Sequence, residues 1–364
     1  MTRLRKFGTL LVAALAGTLP TVGGVGAQVG LSCGSTITAD TTLTADIGPC
    51  PSFGLIVGAD NITLDLGGRR VFGTPQPLDN AGVYMKGRSG VTVRNGTINA
   101  FDAGVAIEGG SGNTVTGIRA VDNIGRFSGG VNSRFGDGIA IMSSTNNRIT
   151  KNLLRNNAPY SGVGVYTLID SNHPRDTSGP ASGNLIDSND VLDNRLGRDG
   201  SLGSTDNDGI RLETNTTGTI ITNNRVNNSG LDGIALFVGS ADTVIRNNQV
   251  TNNGLYRTAA RNGDGIMVGR ASDRSIIENN FIRGNGDNGI VVRNPFGALP
   301  GATNVRVVGN TSVGNAVRPT INSANFGPAY DLYDRNVDCD ANTWFGNRYR
   351  TFNPPCVTNG GQQV

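Results

Sequence analysis

The chain has 364 residues, with 31 Lys+Arg against 28 Asp+Glu, one His, 54 Gly and only 5% aromatic side chains. Residues 1–27 hold three basic and no acidic side chains, so 28 of each sign remain beyond them, leaving no cationic surplus for nucleic acid or a bulk polyanion. Apolar residues keep alternating through the Gly- and Asn-rich stretches, which excludes a disordered low-complexity chain.

The N-terminus carries Arg3, Arg5 and Lys6, then an apolar run over 7–19, then small residues ending Val25-Gly26-Ala27. This pattern predicts a secretory signal peptide over 1–27, cleaved after Ala27. The apolar run is too short and interrupted for a membrane span. The expected location is therefore secreted. Four cysteines follow: Cys33, Cys50, Cys339 and Cys356. In an exported chain they read as two disulfides, with three pairings open. The local pairing, Cys33 with Cys50 and Cys339 with Cys356, is preferred because each pair brackets one end of a repeat region.

That region is dominated by one phrase: Asp208-Gly209-Ile210-Arg211-Leu212, Asp232-Gly233-Ile234-Ala235-Leu236, Asp264-Gly265-Ile266-Met267-Val268 and Asn288-Gly289-Ile290-Val291-Val292. The glycines step by 24, 32 and 24 residues. A second phrase follows the first three: Asn223-Asn224-Arg225-Val226, Asn247-Asn248-Gln249-Val250 and Asn279-Asn280-Phe281-Ile282. Period-2 alternation means strands, and a fixed step means stacked units. Degenerate copies at Ala81-Gly82-Val83, Ala103-Gly104-Val105, Asp137-Gly138-Ile139 and Ser161-Gly162-Val163 extend the series. The predicted fold is all-β, a single-stranded parallel β-helix of about nine or ten coils with disulfide-bonded caps. The expected boundaries are an N-terminal cap over 28–52, the solenoid over 53–316, and a C-terminal cap and tail over 317–364. Ile139, Val163, Ile210, Ile234, Ile266 and Ile290 should stack inside. Asn224, Asn248 and Asn280 should stack at a turn, their amides bonding between coils.

The longer steps carry insertions at 124–136, 195–207 and 255–263, before the first strand of a coil, and at 168–183, after it. Together they should flank the first sheet and make it the floor of a groove. Parity turns Tyr166, Arg211, Glu213, Phe237, Met267 and Arg293 outward onto that floor. The insertions add His173, Arg198, Tyr256, Arg257 and Arg261 as walls. Lys86 and Lys151 are placed off the floor. Aromatic, basic and carboxylate groups in a shallow groove suit an extracellular polysaccharide. Each of these residues taken alone reads as an ordinary solvated side chain; their convergence on one face is what raises them.

Asp208, Asp232 and Asp264 should stand on consecutive coils, with Asp206 beside them. Like charges stacked at about 5 Å raise one another's pKa. They persist if each accepts backbone N–H bonds in its Asp-Gly corner, or if Ca²⁺ sits among them. Ca²⁺ is thus the one candidate cofactor.

The Asp-Gly-Ile-x-Leu and Asn-Asn-x-Val phrases, over about residues 50–315, resemble the right-handed parallel β-helix proteins of the pectin lyase-like superfamily. The opening from Cys33-Gly34 to Asn61-Ile62-Thr63-Leu64-Asp65-Leu66 is similar to exported bacterial members. The resemblance implies fold strongly and function weakly, since the superfamily holds lyases, hydrolases, epimerases and non-catalytic surface proteins. Asn-Thr-Asp, Gly-His-Gly and Arg-Ile-Lys motifs of polygalacturonase-like members are absent, and Asn172-His173-Pro174 is not the Asp-Pro-His of mannuronan epimerase-like ones. The leading expectation is a secreted, monomeric polysaccharide-active protein, with lyase action on uronic-acid polymers placed ahead of glycoside hydrolysis. Arg211, Glu213, Tyr166 and His173 are its catalytic candidates. Phe237, Met267, Arg293, Arg198, Tyr256, Arg257 and Arg261 are its substrate-binding candidates. The alternative is a non-catalytic carbohydrate-binding or structural surface protein.

Overall fold

A strand of three to six residues buries too little surface to stand alone, so strands repeated at a fixed step must stack on their neighbours. The computed structural model describes residues 30–74, 79–125, 127–128, 131–132, 135–167, 179–197, 207–256, 263–318 and 328–364. Within the unit Ser32–Val364, twelve parallel strands build a first sheet, one strand per coil, from Ser35–Ile37 to Phe352–Asn353. Two further parallel ladders complete each coil. The strands Thr92–Asn99 and Thr114–Val121 are long enough to run through both. The fold is a parallel β-helix, and among the described residues its helical segments are two short 3₁₀ turns at Val337–Cys339 and Pro355–Thr358. First-sheet strands also occur at Ser35–Ile37 and Leu332–Asp334, in stretches expected to be caps; these end coils lack the Asp-Gly-Ile phrase by which the others are counted.

Register places Ile139, Val163, Ile210, Ile234, Ile266 and Ile290 in one line, and all six are fully buried. β-Branched side chains in register fill such a tube well. The glycine of the repeat has a steric reason. Gly209, Gly233 and Gly265 are absent from the left-handed residues. A Cβ on Gly233 would lie 2.3 Å from Val250 Cγ1 and 2.7 Å from Asn253 Nδ2. The coil is tight at that corner, and only hydrogen fits.

The two asparagines of the second phrase divide their work. Asn223, Asn247 and Asn279 take the left-handed conformation, with φ of 56°, 55° and 54°. Asn224, Asn248 and Asn280 point inward and form the expected ladder. The Asn248 amide N–H and Nδ2 donate to Asn280 Oδ1 at 2.9 and 3.0 Å, and Asn248 Oδ1 accepts the same pair from Asn224. The ladder runs further, from Asn152 through Asn189 to Asn310 and Asn347. Shorter runs at Asn113–Asn147–Asn184 and Asn123–Asn157–Asn194 repeat the device at other corners. Both disulfides are local: Cys33–Cys50 and Cys339–Cys356, with Cα separations of 5.3 and 6.1 Å. Among the described residues no helix is long and apolar enough to cross a membrane.

Candidate functional site

The outward face of the first sheet carries most of the candidate side chains that the structure describes. Its outermost column has one residue per coil. Register and backbone bonds place Lys86, Glu108, Met142, Tyr166, Glu213, Phe237, Gly269, Arg293 and Arg335 in that line. The Asp column borders the same face.

The Asp carboxylates do not bond within their own Asp-Gly corners. Each reaches the next coil instead. Asp208 Oδ1 accepts the Asp232 amide at 3.0 Å, Asp232 Oδ1 accepts that of Asp264 at 2.7 Å, and Asp264 Oδ1 accepts the Asn288 amide and Nδ2 at 3.0 and 2.8 Å. The remaining oxygens of the outer two meet arginines. Arg211 Nη1 is 3.2 Å from Asp208 Oδ2, and Arg293 Nη2 is 2.9 Å from Asp264 Oδ2. Asp232 lies between them, and its carboxyl is pushed well above the ordinary 3.8 by burial first, then by Asp264 and Asp208. Among the described residues no three His, Cys, Asp or Glu side chains are grouped to hold a metal ion. The expected Ca²⁺ ligands Asp208, Asp232 and Asp264 instead spend oxygens on amides and guanidinium groups. Asp206 lies outside the described residues.

Parity gives the direction of the floor residues correctly, but the floor is not open. Arg211, Arg293 and Met267 are 6%, 5% and 6% exposed, and Tyr166 is 3% exposed. Arg211 is held on three sides: Glu213 takes its Nε and Nη2 at 2.7 and 3.1 Å, Asp208 takes Nη1, and the Phe237 ring lies 4.1 Å from Cζ. Met267 packs with Ala235 and Val291 in an apolar patch flanked by Phe237 and Tyr333. Tyr166 lies flat across Gly164, where a Cβ would come within 2.2 Å of its hydroxyl. Its Oη donates to Asp137 Oδ1 at 2.7 Å, beside Ser161 Oγ at 2.5 Å. At the same end Phe135, from the insertion before Asp137, packs 6.4 Å from Tyr84, which stacks on Phe53 at 4.8 Å. Side chains thus lie over part of the sheet that was expected to floor a groove. Tyr256 is 41% exposed, with Arg195 5.2 Å from its ring. His173, Arg198, Arg257 and Arg261 lie outside the described residues.

Sequence reasoning placed Lys86 off this face, but Lys86 ends the first-sheet strand Ala81–Lys86 and shares the outer column. Its Nζ is 3.2 Å from Glu108 Oε1, while Tyr84 Oη donates to Glu108 Oε2 at 2.5 Å. Glu108 and Arg335 were also missed. Counting one residue past the second inward position of every coil would have found all three.

The chain matches the model described as the right handed beta helix region over residues 76–174 and 204–351. The periplasmic alginate epimerase AlgG is similar in structure, with a TM-score of 0.57 and 13% identity, covering 92% of this chain and 75% of that one. Pectate lyase Pel9A gives a TM-score of 0.48 and 16% identity, covering 85% of this chain and 71% of that one. An alginate lyase from Paenibacillus sp. str. FPU-7 gives 0.47 and 14%, covering 92% and 89%. No curated protein matches by sequence. With a family model covering most of its length and the coils in place, the chain belongs to the right-handed β-helix family.

Proposed function

We propose that this is an exported polysaccharide-active protein that engages an acidic polysaccharide, of uronic-acid type, along the outer face of the first sheet. The observation that carries the reading is the outer column itself. It sets one residue on each rung, most of them charged or aromatic, at about 4.8 Å per rung. An extended polymer that repeats one charged sugar after another can be met by such a track. Glu213, with 24% of its side chain exposed, Lys86, with 60%, and the half-buried Arg335 are accessible charged groups in it. The buried arginines set the field beneath them. The likeness to an alginate epimerase supports a uronic-acid polymer as ligand. Two disulfides suit an oxidising, extracytoplasmic setting.

Catalysis would remove the proton beside a sugar carboxylate, either eliminating the glycosidic bond or inverting that centre. Tyr166, hydrogen-bonded to Asp137, is the proton-handling group on the face. Arg211 and Arg293 already meet protein carboxylates, and this favours recognition without turnover as the second reading. Incubation with alginate, polygalacturonate and glycosaminoglycans tests both. Saturable, salt-sensitive binding to an acidic polymer but not to a neutral glucan is expected. A new ultraviolet band, or a changed epimer ratio by NMR, would report turnover. Absence of binding to every acidic polymer would overturn the proposal.

A further inference from the structure

The outer column ends in a cluster that none of the foregoing assigns. Arg270, Arg293 and Arg335 come from three successive coils of the first sheet, at the ends of Ile266–Val268, Ile290–Val292 and Leu332–Asp334. Arg293 is matched by Asp264 at 2.9 Å. Among the described residues no carboxylate stands within ion-pair distance of Arg270 or Arg335, and Arg270 Nε is buried with no hydrogen-bond partner.. Burial, and then the charges of Arg293 and Arg335, work against the Arg270 cation. Arg335 is likewise disfavoured by burial and then by Arg293, with Tyr333 and Asp264 working the other way to a lesser extent. Arg270 and Arg335, without a carboxylate partner among the described residues, leave positive charge at this end of the face.

Beside this cluster stands a rigid aromatic. Phe296 and Leu299 exchange two backbone hydrogen bonds, 3.0 and 3.1 Å, around a tight turn in which Gly297 has φ +60°. The turn is closed at its base by the Ala302 amide donating to Arg293 O at 3.2 Å. It holds Phe296 out with 61% of its surface exposed, 5.0 Å from Arg270 Cζ. An exposed phenyl ring on a stiff turn, next to unmatched guanidinium groups, suits a ligand with an anionic group and a flat C–H face. A sugar acid has both. A nucleic acid backbone would call for a longer cationic track.

We propose that Arg270, Arg335 and Phe296 form an end subsite that takes the carboxylate and ring of one acidic sugar. This rests on the reading of the first-sheet face as an acidic-polysaccharide track and places one end of that track. Carboxylate oxygens take the guanidinium N–H groups, and the sugar ring lies on Phe296.

The test uses the full-length exported protein and defined-length oligomers of whichever acidic polymer it binds. Arg270→Gln/Arg335→Gln should weaken binding of long oligomers by roughly tenfold or more for each arginine removed. Oligomers too short to span the face should lose less. Phe296→Ala, at an exposed position that leaves folding intact, should weaken the same long oligomers severalfold. Arg306→Gln, on another ladder, controls for loss of charge alone. Unchanged affinity in both the Phe296→Ala and the double variant, with the parent still binding, overturns the subsite and leaves the track standing. A parent that binds no acidic polymer removes the track and the subsite with it.

Discussion

Two polar columns run along this solenoid and solve the same problem with different chemistry. At one corner Asn224, Asn248 and Asn280 stack; at the edge of the first sheet Asp208, Asp232 and Asp264 stack. Both give an Oδ1 to the backbone amide of an adjacent coil: Asn280 accepts from the preceding coil, the Asn248 amide at 2.9 Å, and Asp232 from the following one, the Asp264 amide at 2.7 Å. The amide also donates, so Asn248 Nδ2 reaches Asn280 Oδ1 and Ile221 O, and the column satisfies itself. A carboxylate has no donor. Its column needs cations or protons from outside, and the outer two members find Arg293 and Arg211. Neutral columns can therefore be scaffold alone. A charged column recruits other charged groups to its face, the face proposed above to meet the polysaccharide.

The largest effect should follow from breaking the self-sufficient column. Asn248→Ala would leave the Asn224 amide without its acceptor and take one bond each from Asn224 Nδ2, Asn280 Oδ1, Ile221 O and Arg246 O. With one buried amide unpaired and four further bonds lost, urea unfolding should show a loss of about 5 kcal/mol. In the charged column, Arg293→Met leaves Asp264 without its cation. The expected loss is about 3 kcal/mol, because an unmatched buried charge remains. The double variant Arg293→Met/Asp264→Asn should recover much of it. If Arg293→Met alone were neutral, the arginine would not be compensating the column, and the contrast between the two would collapse.

What the sequence disclosed follows from the same contrast. The Asn ladder was legible at 224, 248 and 280 because the Asn-Asn phrase repeats there unbroken. The other ladders were hidden, since their positions are occupied by Thr219, Thr243 or Ser229 on some coils. The interior isoleucines and the local disulfides were also readable, from alternation and from placement at the repeat's ends. The repeat glycines were legible as necessary, but as turn residues; their steric role depends on Val226, Val250 and Ile282 from a strand later in the coil. Outward direction was legible from parity, but exposure was not. Nothing in a period-2 pattern tells that Phe135 returns to cover Tyr84, or that Tyr166 folds flat over Gly164. Arg335 escaped notice because its coil has Tyr330-Asp331-Leu332 in place of Asp-Gly-Ile.

The smallest effect is also the sharpest test of how the charged column is neutralised. Asp232 has acidic neighbours above and below, and the arginines serve those neighbours first. Burial and the two carboxylates favour its protonated form in the folded chain, so its folded pKa lies above the unfolded one. The folded state then holds an extra proton between the two values, and stability falls as pH rises through that window. Below the unfolded value both states are protonated and no cost arises. Above the folded value the cost is complete and constant. Asn is already tolerated in this column: Asn288 accepts the Tyr330 amide at 2.8 Å and donates to Asp264 at 2.8 Å. Asp232→Asn should therefore match the parent near pH 4 and become more stable toward neutrality, by about 1 kcal/mol, the usual size of such a relief. Measuring the difference between the two proteins cancels the other titrating groups. A difference that does not vary with pH would mean Asp232 is ionised and compensated by a cation. In that case Ca²⁺ should raise the melting temperature of the parent and leave Asp232→Asn unmoved, whereas a proton-held column predicts that Ca²⁺ changes neither.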